Sequence, residues 1–227
     1  MANKASIVFA HGIWADGSCF NKVAQQLQGE GYECLYSQHG LDTVAADVAT
    51  ARKTIARAEN PVVFVGHSYG GAVITYGGID DRVAALVYIA ALGMDETETP
   101  QSEQEKFPTT KAFGEIEVAE GRIWLKKNGI GYFCGDLPDA EQQLVWAAAN
   151  PPAVDLFSQT LEGIAWRTKP SWYIVANNDN AVHPDLERAA AARMGARTFD
   201  IDSSHVPMLS HPKFTVDVIR QAAESVR

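Results

Sequence analysis

The sequence predicts an α/β fold: about six mostly parallel strands flanked by helices, with a lid inserted after the fourth strand. Three observations carry this. Short apolar, β-branched runs alternate with segments of helical period, the order produced when helices cross over between parallel strands. The 227 residues are 46% hydrophobic, enough to bury a substantial core, so one domain over 1–227 is expected. The rhythm breaks only once, over about 94–169, an interval far beyond the ~12–15 residues at which an unstructured loop becomes untenable.

In chain order, the expected strands are Ser6 to Ala10, Glu33 to Ser37, Val62 to Gly66, Ala84 to Ala90, Trp172 to Ala176 and Arg197 to Ile201. Between the first two, Phe20, Val23, Ala24 and Leu27 recur at helical spacing. Val44, Val48, Ala51 and Ile55 do the same before the third strand, giving each helix one apolar face for the sheet. Pro184 and Pro212 mark the starts of two C-terminal helices, since the first helical position needs no amide hydrogen. Gly195 closes the first of them.

The long interval needs structure of its own. Ile116 and Val118, then Ile123 and Leu125, alternate around Glu120-Gly121 and predict a β-hairpin. Asp139 is placed to cap a helix carrying Leu144, Val145 and Ala148, ended by Asn150-Pro151-Pro152. Aromatic residues are dense here: Phe107, Phe113, Trp124, Tyr132, Phe133, Trp146, Phe157 and Trp166. A lid over the carboxyl edge of the sheet, where open α/β sheets bind ligands, accounts for that density.

Composition narrows the function. The net charge is −9 and no Lys/Arg cluster occurs, which disfavours nucleic acid and anionic membranes and leaves a small molecule as the expected partner. The apolar run before His11-Gly12 is too short for a signal-peptide core, and Val83 to Leu92 is too short to cross a bilayer, so a cytoplasmic location is expected. Cys19, Cys34 and Cys134 lack the spacing of a disulfide framework or a zinc site; no metal or cofactor is implied. Oligomeric state is not encoded legibly, and a homodimer stays open.

The decisive segment runs from Val62 to Ile74, where a buried strand enters a helix through Gly66-His67-Ser68-Tyr69-Gly70. A serine there sits on a sharp strand-to-helix turn that pushes its hydroxyl into the open and sets it at a helix N-terminus, where developing negative charge is favoured. After the first strand, His11-Gly12-Ile13-Trp14 offers a second element of the same chemistry. The backbone amides of Ile13 and Tyr69 are expected to form an oxyanion hole, held by the turns more than by side-chain identity. His11 itself is expected to brace its loop.

A serine nucleophile needs a base and an acid to orient it, in the chain order Ser, Asp, His for this topology. Of the six histidines, His11 and His39 precede the serine, His67 adjoins it and points away, and His183 and His211 each precede a helix-starting proline. His205, in the loop after the last strand, has the right order and the right edge of the sheet. Asp179, after the strand Trp172 to Ala176, is the expected acid, with Asp95 as its rival; Asp200 and Asp202 read as turn residues.

These segments resemble the small α/β-hydrolases related to plant methylesterases and hydroxynitrile lyases, together with their bacterial esterase-like members. The similarity is strongest in His11 to Gly17, Gly66 to Gly71, Ser171 to Asp179 and Ser204 to Ser210. The resemblance implies the α/β-hydrolase fold. The plant members usually carry tryptophans where this chain has Ser18 and Phe20, so a plant-like pocket is not expected. The lyases typically place a lysine after the catalytic histidine and a threonine after the first-strand histidine; here those positions are Val206 and Gly12, and no cation stands ready for cyanide.

The expected activity is hydrolysis of a carboxylic ester of a small apolar or aryl substrate through an acyl-enzyme, with Trp14, Trp124, Phe133 and Trp146 contacting substrate. The same three residues could serve a lactone, amide or carbamate hydrolase, a cofactor-free perhydrolase or a hydroxynitrile lyase. A receptor that keeps the scaffold to hold a small ligand is the alternative from another class.

Overall fold

A computed structural model describes residues 4–226. The main sheet contains β1 (Ser6–Ala10), β2 (Cys34–Ser37), β3 (Val62–His67), β4 (Val83–Ile89), β7 (Ser171–Ala176) and β8 (Arg197–Ile201), and β5 (Ile116–Ala119) and β6 (Arg122–Leu125) form a separate hairpin. The sheet order is β2-β1-β3-β4-β7-β8, with every neighbouring pair parallel. This is an α/β-hydrolase fold. β1, β3, β4 and β7 are buried nearly throughout, which is why they read as unbroken apolar runs, whereas edge strand β8 is largely exposed and alternates.

The helices are α1 (Asn21–Gly29), α2 (Val44–Ile55), α3 (Gly70–Gly77), α4 (Pro100–Gln104), α5 (Ile130–Cys134), α6 (Asp139–Ala147), α7 (Pro184–Met194), α8 (Pro207–Ser210) and α9 (Pro212–Ser225). Right-handed crossovers dictate their sides: the chain steps one way from β1 to β2 and the other way from β2 to β3 and β4, so α1 and α2 fall on opposite faces. Accordingly α1 packs with α9, and α2 with α3. Val23, Ala24 and Leu27 of α1, and Val44, Val48, Ala51 and Ile55 of α2, are the buried faces that the periodicity identifies. Gly195 closes α7 in the left-handed conformation, at φ 60°.

The reversal of strand order leaves a crevice between the carboxyl ends of β1 and β3. Their register sets Ala10 opposite Gly66, so the loop after β1 and the turn after β3 leave the sheet side by side. One connection further on, β7 and β8 pair Ala176 with Ile201, and the loops beyond stay joined through Asn177 N–H to Ile201 O and Asn178 N–H to Ser203 O.

The segment between β4 and β7 lies across these loops. Its hairpin turns at Glu120 and Gly121, both with positive φ, as a tight two-residue turn requires. Trp14 ties it down from beneath, its backbone N–H donating to Asn150 O and its indole N–H to Ile123 O, and Ala112 N–H donates to Asn180 O. One local expectation fails: Pro138 occupies the N-cap of α6 and Asp139 is the first helical residue, with no capping side-chain bond. Proline's fixed φ and missing donor suit the entry to that turn, leaving the Asp139 carboxylate to act only through the helix dipole.

Candidate active site

Ser68 sits on the turn between β3 and α3 with φ 57°, a conformation costly for a residue with a side chain. The turn is tight enough that a Cβ on Gly66 would lie 2.5 Å from the carbonyl oxygen of Gly70. From the other side the β1 loop presses in: a Cβ on Gly12 would lie 2.6 Å from the Cβ of Ser68 and 3.1 Å from its Oγ. The glycine is what lets the Ile13 loop reach the serine. Ser68 is anchored by its own backbone, its N–H donating to Ile89 O and its carbonyl accepting from Gly71 and Leu92.

His11 braces that loop with both ring nitrogens. Nε2 accepts from the amide of His39 at 2.9 Å, so Nδ1 carries the proton and donates to Gly12 O at 2.8 Å. Burial lowers its pKa and keeps the ring neutral. Trp14 follows at φ 53°, its amide committed to Asn150 O, while the amides of Ile13 and Tyr69 have no hydrogen-bond partner among the described residues. The Tyr69 hydroxyl donates to Asp47 Oδ2 at 2.9 Å, fixing the turn from the α2 side.

His205 is fully buried, and its Nδ1 lies 2.5 Å from Asp179 Oδ2. That contact fixes the proton on Nδ1 and leaves Nε2 with its lone pair; Nε2 is buried and has no hydrogen-bond partner among the described residues. Asp179 is held in turn through Oδ1, which accepts from the amides of Ala181 at 2.6 Å and Val182 at 3.0 Å. The His67 ring packs against the loop that carries His205: its Nε2 donates to the His205 carbonyl at 2.8 Å, the two rings lying 4.6 Å apart. Asp136, two residues beyond α5, accepts from Ser203 Oγ and Ser204 N–H and steadies the loop that carries His205.

Ser68, His205 and Ile13 line one cavity of about 10 Å³, together with Trp14, Phe113, Phe133 and Phe157. Two larger recesses flank it. One, of about 390 Å³, shares Gln104, Phe113 and Phe157 with the serine cavity and is lined beyond them by Phe107, Ile123 and His183. The other, of about 230 Å³, shares Phe133 and is lined by Ala15, Val145, Val206 and Met208.

Of the aromatics expected at the substrate, Trp14 and Phe133 therefore face the serine, and Trp124 and Trp146 do not. Those two are 42% and 39% exposed and line an outer recess with Lys126 and Lys127. The reason is the strand period: on β6, Ile123 and Leu125 turn toward the core, so Trp124 turns out. Trp146 rides on α6, which buries no residue. Asp95, the rival acid, is paired with Arg167 at 2.6 Å instead of with His205. His183 caps α7, whereas His211 bonds Ser210 Oγ and caps nothing with its side chain. Asp47, Asp136, Phe113 and Phe157 are site neighbours that no motif singles out.

A model of the alpha/beta hydrolase family matches residues 7–218. The chain belongs to that family. As a family member it is 30% identical over 249 residues to the alpha/beta hydrolase nvfD of Aspergillus novofumigatus, with 97% of each chain covered. It is 22% identical to putative methylesterase 14 of Arabidopsis thaliana, over 96% of this chain and 71% of the plant protein. Among solved structures it is similar to a pyrethroid hydrolase from Sphingobium faniae, with TM-score 0.80, 23% identity and coverage of 97% and 98%. Among the described residues no helix is long and apolar enough to cross a membrane, and no group of three or more His, Cys, Asp or Glu is arranged to hold a metal ion. The three cysteines are free thiols.

Proposed function

We propose that this family member hydrolyses a carboxylic ester through an acyl-enzyme, with Ser68 as nucleophile, His205 as general base and Asp179 orienting the base. The observation that carries the reading is the state of His205. Its Nδ1–H is committed to Asp179, and its Nε2, which has no hydrogen-bond partner among the described residues, lies in the cavity wall shared with Ser68. In the reaction, Nε2 takes the Ser68 proton as Oγ attacks the carbonyl, and the Ile13 and Tyr69 amides stabilise the oxyanion. The imidazolium, stabilised by Asp179, returns the proton to the departing alcohol; water then attacks the acyl-serine by the same path in reverse.

The walls of the cavity speak for an apolar, two-lobed substrate. The flanking recesses are largely apolar, and each is separated from Ser68 by phenylalanine rings, Phe113 and Phe157 on one side and Phe133 on the other. An ester bond at Ser68 would send its acyl and alkoxy parts in opposite directions, one into each. A space of about 10 Å³ takes no more than about one water, so the rings must rotate to admit a substrate. Esterase names among the relatives, a putative methylesterase and a carbendazim hydrolyzing esterase, point the same way.

The test is turnover of p-nitrophenyl esters of graded chain length, beside lactones and cyanohydrins, together with fluorophosphonate labelling. Ser68→Ala is expected to lower kcat by at least about 10⁴-fold with the fold intact and to abolish labelling. If wild type binds small apolar ligands yet resists the probe and turns over nothing, the chain is a receptor on a hydrolase scaffold.

A further inference from the structure

Glu187, on the first turn of α7, is 0% exposed. Its Oε2 accepts the amide of Ala176, the last residue of β7, at 2.9 Å; its Oε1 has no hydrogen-bond partner among the described residues. Asp179 is tied to Ala176 from the other side, its N–H donating to Ala176 O at 3.2 Å, so the two carboxyl groups are neighbours across Ala176. The titratable or charged groups facing it are Asp179 from the loop after β7, Tyr173 from β7 and Arg188 from its own helix. Arg188 is drawn away to Asp185 and Asn177, and the Tyr173 hydroxyl is engaged with the Ala91 backbone. Two neighbouring carboxyl groups sealed in one buried site do not both ionise. Asp179 is the one built to carry the charge, since it accepts two amides and the His205 ring. Those three bonds leave room for one more donor among the roughly four acceptor sites of a carboxylate.

We propose that Glu187 is a positioning residue held as a neutral carboxylic acid, whose hydroxyl donates to Asp179 and completes the acceptor set of the group that orients His205. Burial, reinforced by the Asp179 charge, pushes the Glu187 carboxyl well above the usual carboxylate range, in the direction this arrangement needs. Glu187 thereby fixes the Asp179 carboxylate between α7, the β7 terminus and the imidazole, and tempers the charge that His205 feels. Its catalytic consequence rests on the proposed ester hydrolysis; its structural content does not.

Glutamine and methionine variants separate this role from simple capping of the Ala176 amide. In Glu187→Gln the amide group can still accept from Ala176 and donate to Asp179, whereas Glu187→Met does neither. The primary readouts are the low-field proton resonance of His205 Nδ1–H and the His205 titration by NMR, which need no turnover. Glu187→Gln is expected to keep the resonance, leave the His205 pKa within about 0.3 and hold kcat within about threefold. Glu187→Met is expected to broaden the resonance, raise the His205 pKa by about 0.5 to 1 and lower kcat by about tenfold or more with KM little changed. A fall in the His205 pKa of about one unit in Glu187→Gln would mean that an ionised carboxylate had been removed, and would overturn the proposal. So would an unshifted resonance and titration in Glu187→Met. Should the methionine variant fail to fold, the glutamine variant decides alone. Wild-type protein that shows the expected NMR behaviour but cleaves no ester sinks the hydrolase reading and spares the Glu187 contact.

Discussion

A hydrogen atom is all that Gly12 can present to the serine, because any Cβ there would overlap the Ser68 side chain. Gly12→Ala must therefore push back the loop that carries the Ile13 amide. The expected result is a fall in kcat of about 10²- to 10³-fold, the loss typical of one oxyanion donor, with labelling of Ser68 by a fluorophosphonate slowed in step. Thermal unfolding run beside it distinguishes a displaced loop from a lost fold. At this scale the sequence is legible where a residue's place on the sheet determines its use. Ser68, Asp179 and His205 each follow a strand, and the structure brings Asp179 and His205 into contact and Ser68 and His205 into one cavity. Glu187 and Asp136 give no such signal. An acidic residue in the first turn of a helix reads as a dipole-compensating surface group, and only the packing of α7 on β7 shows that Glu187 is sealed inside.

Between elements, a carboxyl group of α2 reaches the Ser68 turn. Asp47 accepts from Leu41 N–H and from the Tyr69 hydroxyl, and burial raises its pKa from the ordinary carboxylate value to about 6. A folded-state pKa above the unfolded one means that the native protein holds this proton longer, so this group's contribution to stability falls as pH rises from about 4 through about 6 and is flat beyond. Asp47→Asn, which can still accept from Leu41 and can pair with Tyr69, is expected to be more stable than wild type at about pH 8, the gap closing toward about pH 4. Urea unfolding at the two pH values checks the sign; an Asn variant less stable than wild type at both would show that the ionised form is the one the fold favours. The hairpin illustrates the opposite limit of legibility. Its strands and turn are encoded by alternation and by Glu120-Gly121, yet alternation alone does not say which face meets the core, and that choice decides whether Trp124 touches substrate or solvent.

Across the whole molecule, the four central strands follow directly from apolar runs, because strands buried on both faces tolerate little else, whereas the edge strands β2 and β8 are partly exposed and read through shorter or alternating runs. What the runs could not specify is the way the β4–β7 segment settles on the sheet, since that depends on contacts as distant as Trp14 with Asn150 and Ala112 with Asn180. Its placement partitions the space around Ser68. Phe157, half-buried between Tyr69 and Phe113, stands on the boundary with the larger recess. Phe157→Ala is expected to shift the chain-length optimum toward longer or bulkier p-nitrophenyl esters by about tenfold in kcat/KM relative to acetate, about the discrimination of one or two methylenes in an apolar pocket. An unchanged ranking would assign substrate to the opposite recess, behind Phe133.

The bond from the His67 ring to the carbonyl of His205 has a mechanical meaning. His67 is the last residue of the third strand and the immediate neighbour of Ser68, so the main chain bearing His205 hangs from the same peptide stem as the Ser68 hydroxyl. The spacing of Ser68 and His205 is then inherited from a single rigid stalk instead of being negotiated between two independent loops. A thermal excursion of that stalk would carry both ends with it and leave their separation nearly unaltered.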